Sequence, residues 1–210
     1  MNFLAHLYLS GDDPDVLVGN MMGDFLKGIG ASGYPAAIQE GIRLHRGIDS
    51  FTDAHPVFAR SRRRFEPPYR RYAGVLVDVF YDHFLAAGWS TYSPHESLAS
   101  FAHRSYAILS SAPVDLPPRM QRAVRAMAEQ DWLGSYASRG GIDLTLQRMS
   151  RRPKRPNPLA AAGSQLALHA DGLQSDFAEF FPDLIEYVTQ QGISRGIKVD
   201  GPLISKEVRP

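Results

Sequence analysis

Histidine and aspartate are the residues of this chain whose types and spacing can do chemistry. Four segments carry them: His6, Asp24, His45 with Asp49, and Asp78 with Asp82 and His83. Asp78 and Asp82 are four residues apart, so they share one face of a helix. That helix, predicted over residues 72–87, is apolar nearly all round, which is typical of a central buried helix. Its carboxylates therefore need a partner, a proton or a metal ion, because burying an unpaired charge is costly.

A second helix, predicted over about residues 35–52, supplies the same kinds of side chain. Ile38 and Ile42 form an apolar stripe, and His45 and Asp49 continue that stripe at helical spacing. We therefore expect both titratable side chains to point inward. Imidazole and carboxylate ligands from facing helices suit a divalent ion such as Mn²⁺, Fe²⁺ or Mg²⁺. Such an ion would neutralise the carboxylates, acidify a water molecule and polarise a phosphoryl oxygen.

Each of these groups also has an ordinary structural explanation. A single buried histidine or aspartate is more often a helix cap or a hydrogen-bonded core group than a metal ligand. The metal hypothesis is favoured only for the set as a whole, since otherwise each group would need a separate explanation. A dense run of arginines over residues 60–71 also has two explanations. Such a run is most often a solvated face, but it can also bind phosphate or an acidic protein.

Proline, glycine and capping residues divide the chain into helices, and no stretch shows convincing strand alternation. Helix starts are predicted at Asp13-Pro14, Pro35, Pro56, Tyr72, the capping box Ser93–Glu96, Pro118, Ile142 and Asn157-Pro158. The first of these helices is predicted to end near residues 27–28, the helix from Pro118 near residue 138, and the last near residue 191 after a kink or restart at Pro182. The fold class is therefore all-α. We expect a single irregular helical bundle over residues 1–191 and a flexible tail over residues 192–210.

The composition excludes several functional classes. The 210 residues, 44% of them hydrophobic, are enough for one sizeable core. The absence of cysteine excludes disulfides, thiolate nucleophiles and cysteine-based zinc sites. The first ten residues lack the basic start of a secretory signal, and no segment is long enough to span a bilayer. A net charge of +1 gives no field that favours nucleic acid or an anionic membrane, so we expect a cytoplasmic protein that binds neither.

Five segments resemble one known family in order and spacing. They are MNFLAHLYLS, GNMMGDFLKG, LHRGIDSFTDAHP, DVFYDHFL followed by Trp89, and the late SRRP, which together span about residues 1–190. The family is that of the acyl carrier protein phosphodiesterases, also called holo-acyl-carrier-protein hydrolases. The resemblance implies an all-α, distorted relative of the HD-domain metal phosphohydrolases that uses a divalent metal, typically manganese.

The resemblance also implies a reaction. The family hydrolyses the phosphodiester that joins 4′-phosphopantetheine to a serine of holo-acyl carrier protein, which releases the apo-protein. HD proteins bind metal through a histidine, an adjacent His-Asp pair and a further aspartate. In this chain the adjacent pair is reversed, as Asp82-His83, and Asp24 precedes His45.

From these residues we predict a site in four parts. The predicted metal ligands are Asp24, His45, Asp82 and His83. Asp49 and Asp78 are predicted as a further ligand or as partners that orient histidine N–H groups, and His6 as the acid that protonates the leaving serine oxygen. Lys27 and Arg46 are predicted to contact the phosphodiester oxygens. Because acyl carrier proteins are small and acidic, the predicted docking patch is basic: Arg60, Arg62, Arg63, Arg64, Arg70 and Arg71, with Arg151, Arg152, Lys154 and Arg155 as the runner-up.

Two other functions also fit the residues. An HD-like hydrolase acting on nucleotides or another small phosphoester would use the same metal site and would need no carrier protein. A non-catalytic helical adaptor would use the basic patch for an acidic partner. In the adaptor, the histidines and aspartates would form internal salt bridges and would bind no metal.

Overall fold

The computed structural model describes residues 1–26, 30–151, 153 and 155–192. All regular elements in these residues are helical, so the predicted all-α class is confirmed. The helices are α1 (Phe3–Tyr8), α2 (Pro14–Gly23), α3 (Ala36–Ala54), α4 (Pro56–Arg62), α5 (Ala73–Ala87), α6 (Trp89–Tyr92), α7 (Leu98–Ser110), α8 (Pro118–Glu129), α9 (Trp132–Ser135), α10 (Arg139–Ser150) and α11 (Gly163–Gln190). Within the described ranges, no helix combines the length and hydropathy needed to cross a bilayer.

Helix α5 is the central helix that the sequence predicts. Its buried residues lie on every side and include Leu76, Val77, Phe80 and Leu85. It packs against α1, α4, α10 and α11, so its apolar surface meets neighbours in several directions. The helix ends where Gly88 follows, as predicted. The burial of α5 is what forces each of its polar side chains to find a specific partner.

Helices α2 and α3 pack with almost no side chain between them. A Cβ atom added at Gly41 of α3 would overlap the carbonyl oxygen of Val16 and lie 2.8 Å from the Cα of Gly19. A Cβ atom at Gly19 of α2 would overlap the carbonyl oxygen of Ile38. The two glycines therefore let the backbones approach closely, and α2 is buried over nearly its whole length.

Helix α2 begins where the sequence predicts and ends earlier than predicted. The Asp13 side chain accepts hydrogen bonds from the backbone N–H groups of Asp15, at 2.9 Å, and Val16, at 3.2 Å, and Pro14 opens the helix. The helix ends at Gly23, with Asp24 as its C-cap, whereas the sequence predicted an end near residues 27–28. Those two residues lie outside the described part of the chain.

Three other boundaries differ from the prediction, each because a local cap decides it. Helix α7 starts after Ser97, whose hydroxyl accepts from the Ser100 N–H, and not at the predicted capping box. The helix predicted over residues 118–138 is interrupted at Asp131, which has the left-handed φ of 43° and whose side chain accepts from the Gly134 N–H. Helix α10 begins at Arg139 because Ser138 caps it, so the glycine pair at 140–141 lies inside this helix.

The C-terminal helix begins later than the sequence predicts and is continuous where an interruption was predicted. After a 3₁₀ turn at Leu159–Ala161, helix α11 runs for 28 residues and continues through Pro182, where the sequence predicted a kink or a restart. Phe177, Phe180 and Phe181 bury one face of this helix against the core. The predicted tail lies outside the described residues, apart from Gly192.

The α2–α3 contact leads us to expect different changes in the free energy of unfolding for two glycine-to-alanine substitutions. Gly41→Ala should lower the free energy of unfolding by about 1–3 kcal/mol, because the added methyl group must push the helices apart. Gly74→Ala should be neutral or raise it by up to about 1 kcal/mol, because nothing lies within 4 Å of its added Cβ atom and alanine favours helix. Urea unfolding followed by circular dichroism measures both changes. Equal effects of the two changes would contradict the close α2–α3 contact.

Candidate metal centre

Two histidines and one aspartate converge where α1 meets α3. His6 comes from α1, and His45 and Asp49 come from α3; one ligand atom from each lies within 4.8 Å of the others. The Nε2 atom of His6 lies 3.2 Å from Asp49 Oδ1, and the Nε2 atom of His45 lies 3.2 Å from Asp49 Oδ2. The two imidazole rings stack, with 4.2 Å between their centroids. Both histidines are buried, whereas 46% of the Asp49 side chain is exposed, so the carboxylate faces the solvent side of the cluster.

The electrostatics of the cluster favour a neutral imidazole beside an ionised carboxylate. Burial lowers the pKa of the His6 imidazole, although the nearby Asp49 opposes this. Burial acts to raise the pKa of the Asp49 carboxyl, but His45 and His6 together hold it well below its usual range. The His6–Asp49 approach does not have hydrogen-bond geometry, and the buried Nε2 of His6 has no hydrogen-bond partner among the described residues. The cluster therefore holds a negative charge and an unused nitrogen atom.

Asp24, a predicted ligand, lies at the edge of this cluster. Its Oδ1 atom is 3.9 Å from the Nε2 atom of His45. The preceding residue, Gly23, makes room for the ring, because a Cβ atom there would overlap the His45 side chain. The structure thus brings Asp24, His45, Asp49 and His6 together, and all four belong to the segments that the sequence singled out.

Asp78 lies next to the cluster and pairs with the backbone amine of Met1. Its Oδ1 atom is 3.0 Å from the Met1 nitrogen, which is also 4.0 Å from Asp49 Oδ1. Among the described contacts, the Met1 amine is thus the link between Asp78 and Asp49. Its predicted role, as a further ligand or as a partner of a histidine N–H, stays a prediction.

Asp82 and His83, which are also predicted as ligands, have other partners in this structure, and their role at a metal stays a prediction. Asp82 is fully buried, and its two oxygen atoms accept hydrogen bonds from the backbone N–H groups of Leu4, at 2.7 Å, and Ala5, at 3.2 Å. It thus caps the N-terminus of α1 from a distant part of the chain. The Nδ1 atom of His83 lies 2.7 Å from the carbonyl oxygen of Tyr136. Neither side chain belongs to the His6–His45–Asp49 cluster.

The predicted phosphate-binding residues are not brought to the cluster by any contact that the structure describes. Arg46 is exposed on α3, directly after His45. Lys27 lies outside the described residues. The role of both at the phosphodiester stays a prediction.

Comparison with known proteins places the chain in a family. The family model of acyl carrier protein phosphodiesterase matches residues 1–184. The chain belongs to the acyl carrier protein phosphodiesterase family. A protein from Photorhabdus laumondii subsp. laumondii with that name is 34% identical over 186 residues, which cover 89% of this chain and 94% of the relative. Proteins with the same name from Enterobacter sp. (strain 638) and Salmonella agona (strain SL483) are 34% and 33% identical and cover 88% and 92% of this chain, and 96% and 100% of the relatives. No solved structure matches, so the HD-domain likeness stays a prediction.

Asn20 contacts the cluster and was not among the residues predicted from the sequence. Asn20 of α2 is fully buried, and its Oδ1 atom lies 3.0 Å from the Nδ1 atom of His6. Asn20 precedes Asp24 by four residues, so helical spacing places the two on one face of α2. That spacing is the signal that could have found it.

Three of the six arginines in the predicted carrier-protein patch form ion pairs with acidic residues. Arg60 and Arg64 pair with the buried Asp176, at 2.7 and 2.8 Å, and Arg60 also pairs with Glu179. Arg70 pairs with Glu66 at 3.2 Å. These pairings neutralise half of the patch and tie α4 to α11. The other three members, Arg62, Arg63 and Arg71, are exposed and have no acidic partner among the described residues.

The runner-up patch is described only in part. Arg151 and Arg155 are exposed. Arg152 and Lys154 lie outside the described residues, so this basic segment stays a prediction.

Because Asp82 caps α1, we predict that replacing it lowers the stability of the protein and leaves manganese binding unchanged. Asp82→Ala should lower the free energy of unfolding by about 1–3 kcal/mol, because it leaves two buried N–H groups unsatisfied. Burial raises the pKa of Asp82 from its usual 3.8 to about 7. Folded Asp82 thus keeps its proton to higher pH than unfolded Asp82, and the stability it contributes is lost as pH rises through about 7. The destabilisation should therefore be larger at about pH 5 than at about pH 8.

Urea unfolding of the wild type and of Asp82→Ala at both pH values measures this difference, and Asp53→Ala, at an exposed aspartate, serves as the control. Manganese binding should be the same in all three proteins. Lost binding with unchanged stability would instead place Asp82 at the metal.

Proposed function

We propose that the chain hydrolyses the phosphodiester between 4′-phosphopantetheine and the serine of holo-acyl carrier protein, and thereby releases apo-acyl carrier protein. Family membership supports the substrate, because the matching relatives carry the name acyl carrier protein phosphodiesterase. The observation that carries the chemistry is the convergence of His6, His45 and Asp49, with a buried imidazole nitrogen that has no hydrogen-bond partner in the described part of the chain.

These residues fit a divalent metal ion. Two imidazole nitrogens and a carboxylate leave open coordination positions and suit a borderline ion, of which Mn²⁺ is our first choice and Fe²⁺ or Mg²⁺ the alternatives. The two stacked imidazoles, with 4.2 Å between their centroids, would repel each other if both were protonated, and a divalent cation would balance Asp49 without a proton on either Nε2 atom. Asp24, at 3.9 Å from His45, is the proposed fourth ligand. A bound ion would supply Lewis-acid activation of the phosphodiester and would make water a better nucleophile.

The roles proposed for the protein's own groups follow from their positions. His6 and His45, both buried, would hold the ion through their Nε2 atoms. Asp49 lies between them on the half-exposed side and so orients toward the face by which a large protein substrate must approach. We therefore propose His6 as a ligand instead of the leaving-group acid predicted from the sequence. Asp78 pairs with the buried Met1 amine, which also lies 4.0 Å from Asp49, and so helps to fix the α5 side of the cluster.

Removal of the metal should abolish the hydrolysis of both substrates. After chelation, the protein should not hydrolyse bis-p-nitrophenyl phosphate or holo-acyl carrier protein, and added Mn²⁺ should restore both activities. His45→Ala and Asp49→Ala should each lower turnover by more than about 100-fold and weaken Mn²⁺ binding, because each removes a ligand.

His83→Ala is the matched control, since His83 lies outside the cluster. It should bind Mn²⁺ like the wild type when measured by calorimetric titration. Full activity of the chelated wild type would refute the metal-dependent mechanism.

We further propose that Arg62, Arg63 and Arg71 are the part of the basic patch that meets the acidic carrier protein. They are exposed, and no carboxylate among the described residues neutralises them. Arg62→Glu combined with Arg71→Glu should raise KM for holo-acyl carrier protein by about tenfold or more and leave turnover of bis-p-nitrophenyl phosphate unchanged.

The control carries the same change of charge on another helix: Arg122→Glu with Arg125→Glu, two exposed arginines of α8. For the wild type, KM should rise steeply with added salt, because exposed charge pairs are screened. A salt-independent KM, or equal effects of the two double changes, would remove the patch from the proposal.

A further inference from the structure

A closed hydrogen-bond network surrounds one end of the His6 ring. Asn20 is fully buried, and its Nδ2 atom donates to the His6 carbonyl oxygen at 2.8 Å and to Ser10 Oγ at 3.0 Å. Ser10 Oγ in turn donates to the same carbonyl at 2.9 Å. A backbone carbonyl oxygen can only accept hydrogen bonds, so the NH₂ group of Asn20 has to face it. The orientation of the Asn20 amide is therefore determined, and its Oδ1 atom must face the Nδ1 atom of His6.

This orientation decides which nitrogen of His6 carries the proton. The Oδ1 atom of Asn20 can only accept, and it lies 3.0 Å from Nδ1, so Nδ1 has to donate. A neutral imidazole has one N–H group, so Nε2 keeps its lone pair. Nε2 is the atom that lies 3.2 Å from Asp49 Oδ1 without a hydrogen-bond partner in the described part of the chain. We infer that Asn20 is a positioning residue that fixes His6 in the Nδ1–H tautomer.

The alternative arrangement is unfavourable in this environment. Rotating the Asn20 amide would set its oxygen against the His6 carbonyl oxygen, so two acceptors would meet at 2.8 Å in a fully buried place. The same rotation would also set the NH₂ group against Nδ1 and would require the proton to move to Nε2. The network thus couples the backbone of α1 to the tautomer of its own histidine.

The tautomer matters for the centre because only a nitrogen with a free lone pair can bind a metal ion. If His6 were free to place its proton on Nε2, that proton would have to leave before binding. Partners that orient a ligating histidine typically contribute about 10–100-fold to metal affinity. This part of the inference rests on the proposed function, whereas the tautomer itself does not.

Nuclear magnetic resonance of the metal-free protein tests the tautomer directly. Long-range ¹H–¹⁵N correlation of ¹⁵N-histidine-labelled protein at about pH 8, above the usual imidazole pKa, shows which nitrogen of His6 is protonated. Wild type should show Nδ1–H. Asn20→Leu, which is similar in size and offers no acceptor, should show a large Nε2–H population.

Ser10→Ala is the matched control, because it removes the other partner of the same amide and leaves the Oδ1 acceptor in place. It should keep the Nδ1–H form, and Asn20→Ala replaces Asn20→Leu if the latter does not fold. Wild type with Nε2–H would overturn the inference without any variant, and so would an unchanged tautomer in a folded Asn20 variant.

Mn²⁺ titration of the same proteins separates this inference from the proposed function. Asn20→Leu should bind Mn²⁺ about 10–100-fold more weakly than wild type, and Ser10→Ala should bind within about threefold of wild type. Equal affinities of wild type and a folded Asn20→Leu would overturn the link between the tautomer and metal binding. Wild type that shows Nδ1–H but binds no Mn²⁺ would support the role of Asn20 in fixing the tautomer and would overturn the proposed metal site.

Discussion

Helix α1, which carries His6, depends for its first hydrogen bonds on a carboxylate from another helix. Helix α1 has six residues, and a helix this short does not form by itself in water. Its first N–H groups need acceptors, and the side chain of Asn2, its N-cap, provides none. Asp82, from the buried helix α5, accepts from two of them and also complements the positive end of the helix. This contact stabilises the start of α1, while the Asn20 side chain, which donates to the His6 carbonyl oxygen, and the Tyr8–Tyr92 hydrogen bond also hold the helix in place.

A second constraint brings the rest of the cluster together. Gly19 and Gly41 let α2 and α3 touch along their backbones, so side chains on the facing surfaces of the two helices meet at short range. Gly23 then leaves room for the His45 ring directly before Asp24. The cluster is thus assembled from three helices that are held by different means: α1 by a cap from another helix, and α2 and α3 by their close contact.

The sequence predicted what local interactions determine. The start of α2 follows from Asp13 and Pro14, the extent of α5 from its continuous apolar residues, and the inward direction of His45 from its helical spacing. Asp49, which shares that spacing, is half exposed and so is only partly inward. It could not predict contacts between distant parts of the chain. Asp82 finds its partners 77 and 78 residues away, and Arg64 finds Asp176 at a separation of 112 residues. A pattern of acids on a buried helix shows that they need partners, but it does not show which partners they have.

The aspartates of the core illustrate how environment, more than position in a motif, decides between cap and ligand. Asp82 is fully buried, and burial raises its pKa to about 7. Its oxygen atoms accept from two backbone N–H groups, and the carboxyl group is partly protonated near neutral pH. Asp49 is half exposed, and its pKa is held low by the two histidines, so it stays ionised. A carboxyl group has to lose its proton to bind a metal ion, and of these two aspartates Asp49 meets that condition at lower pH.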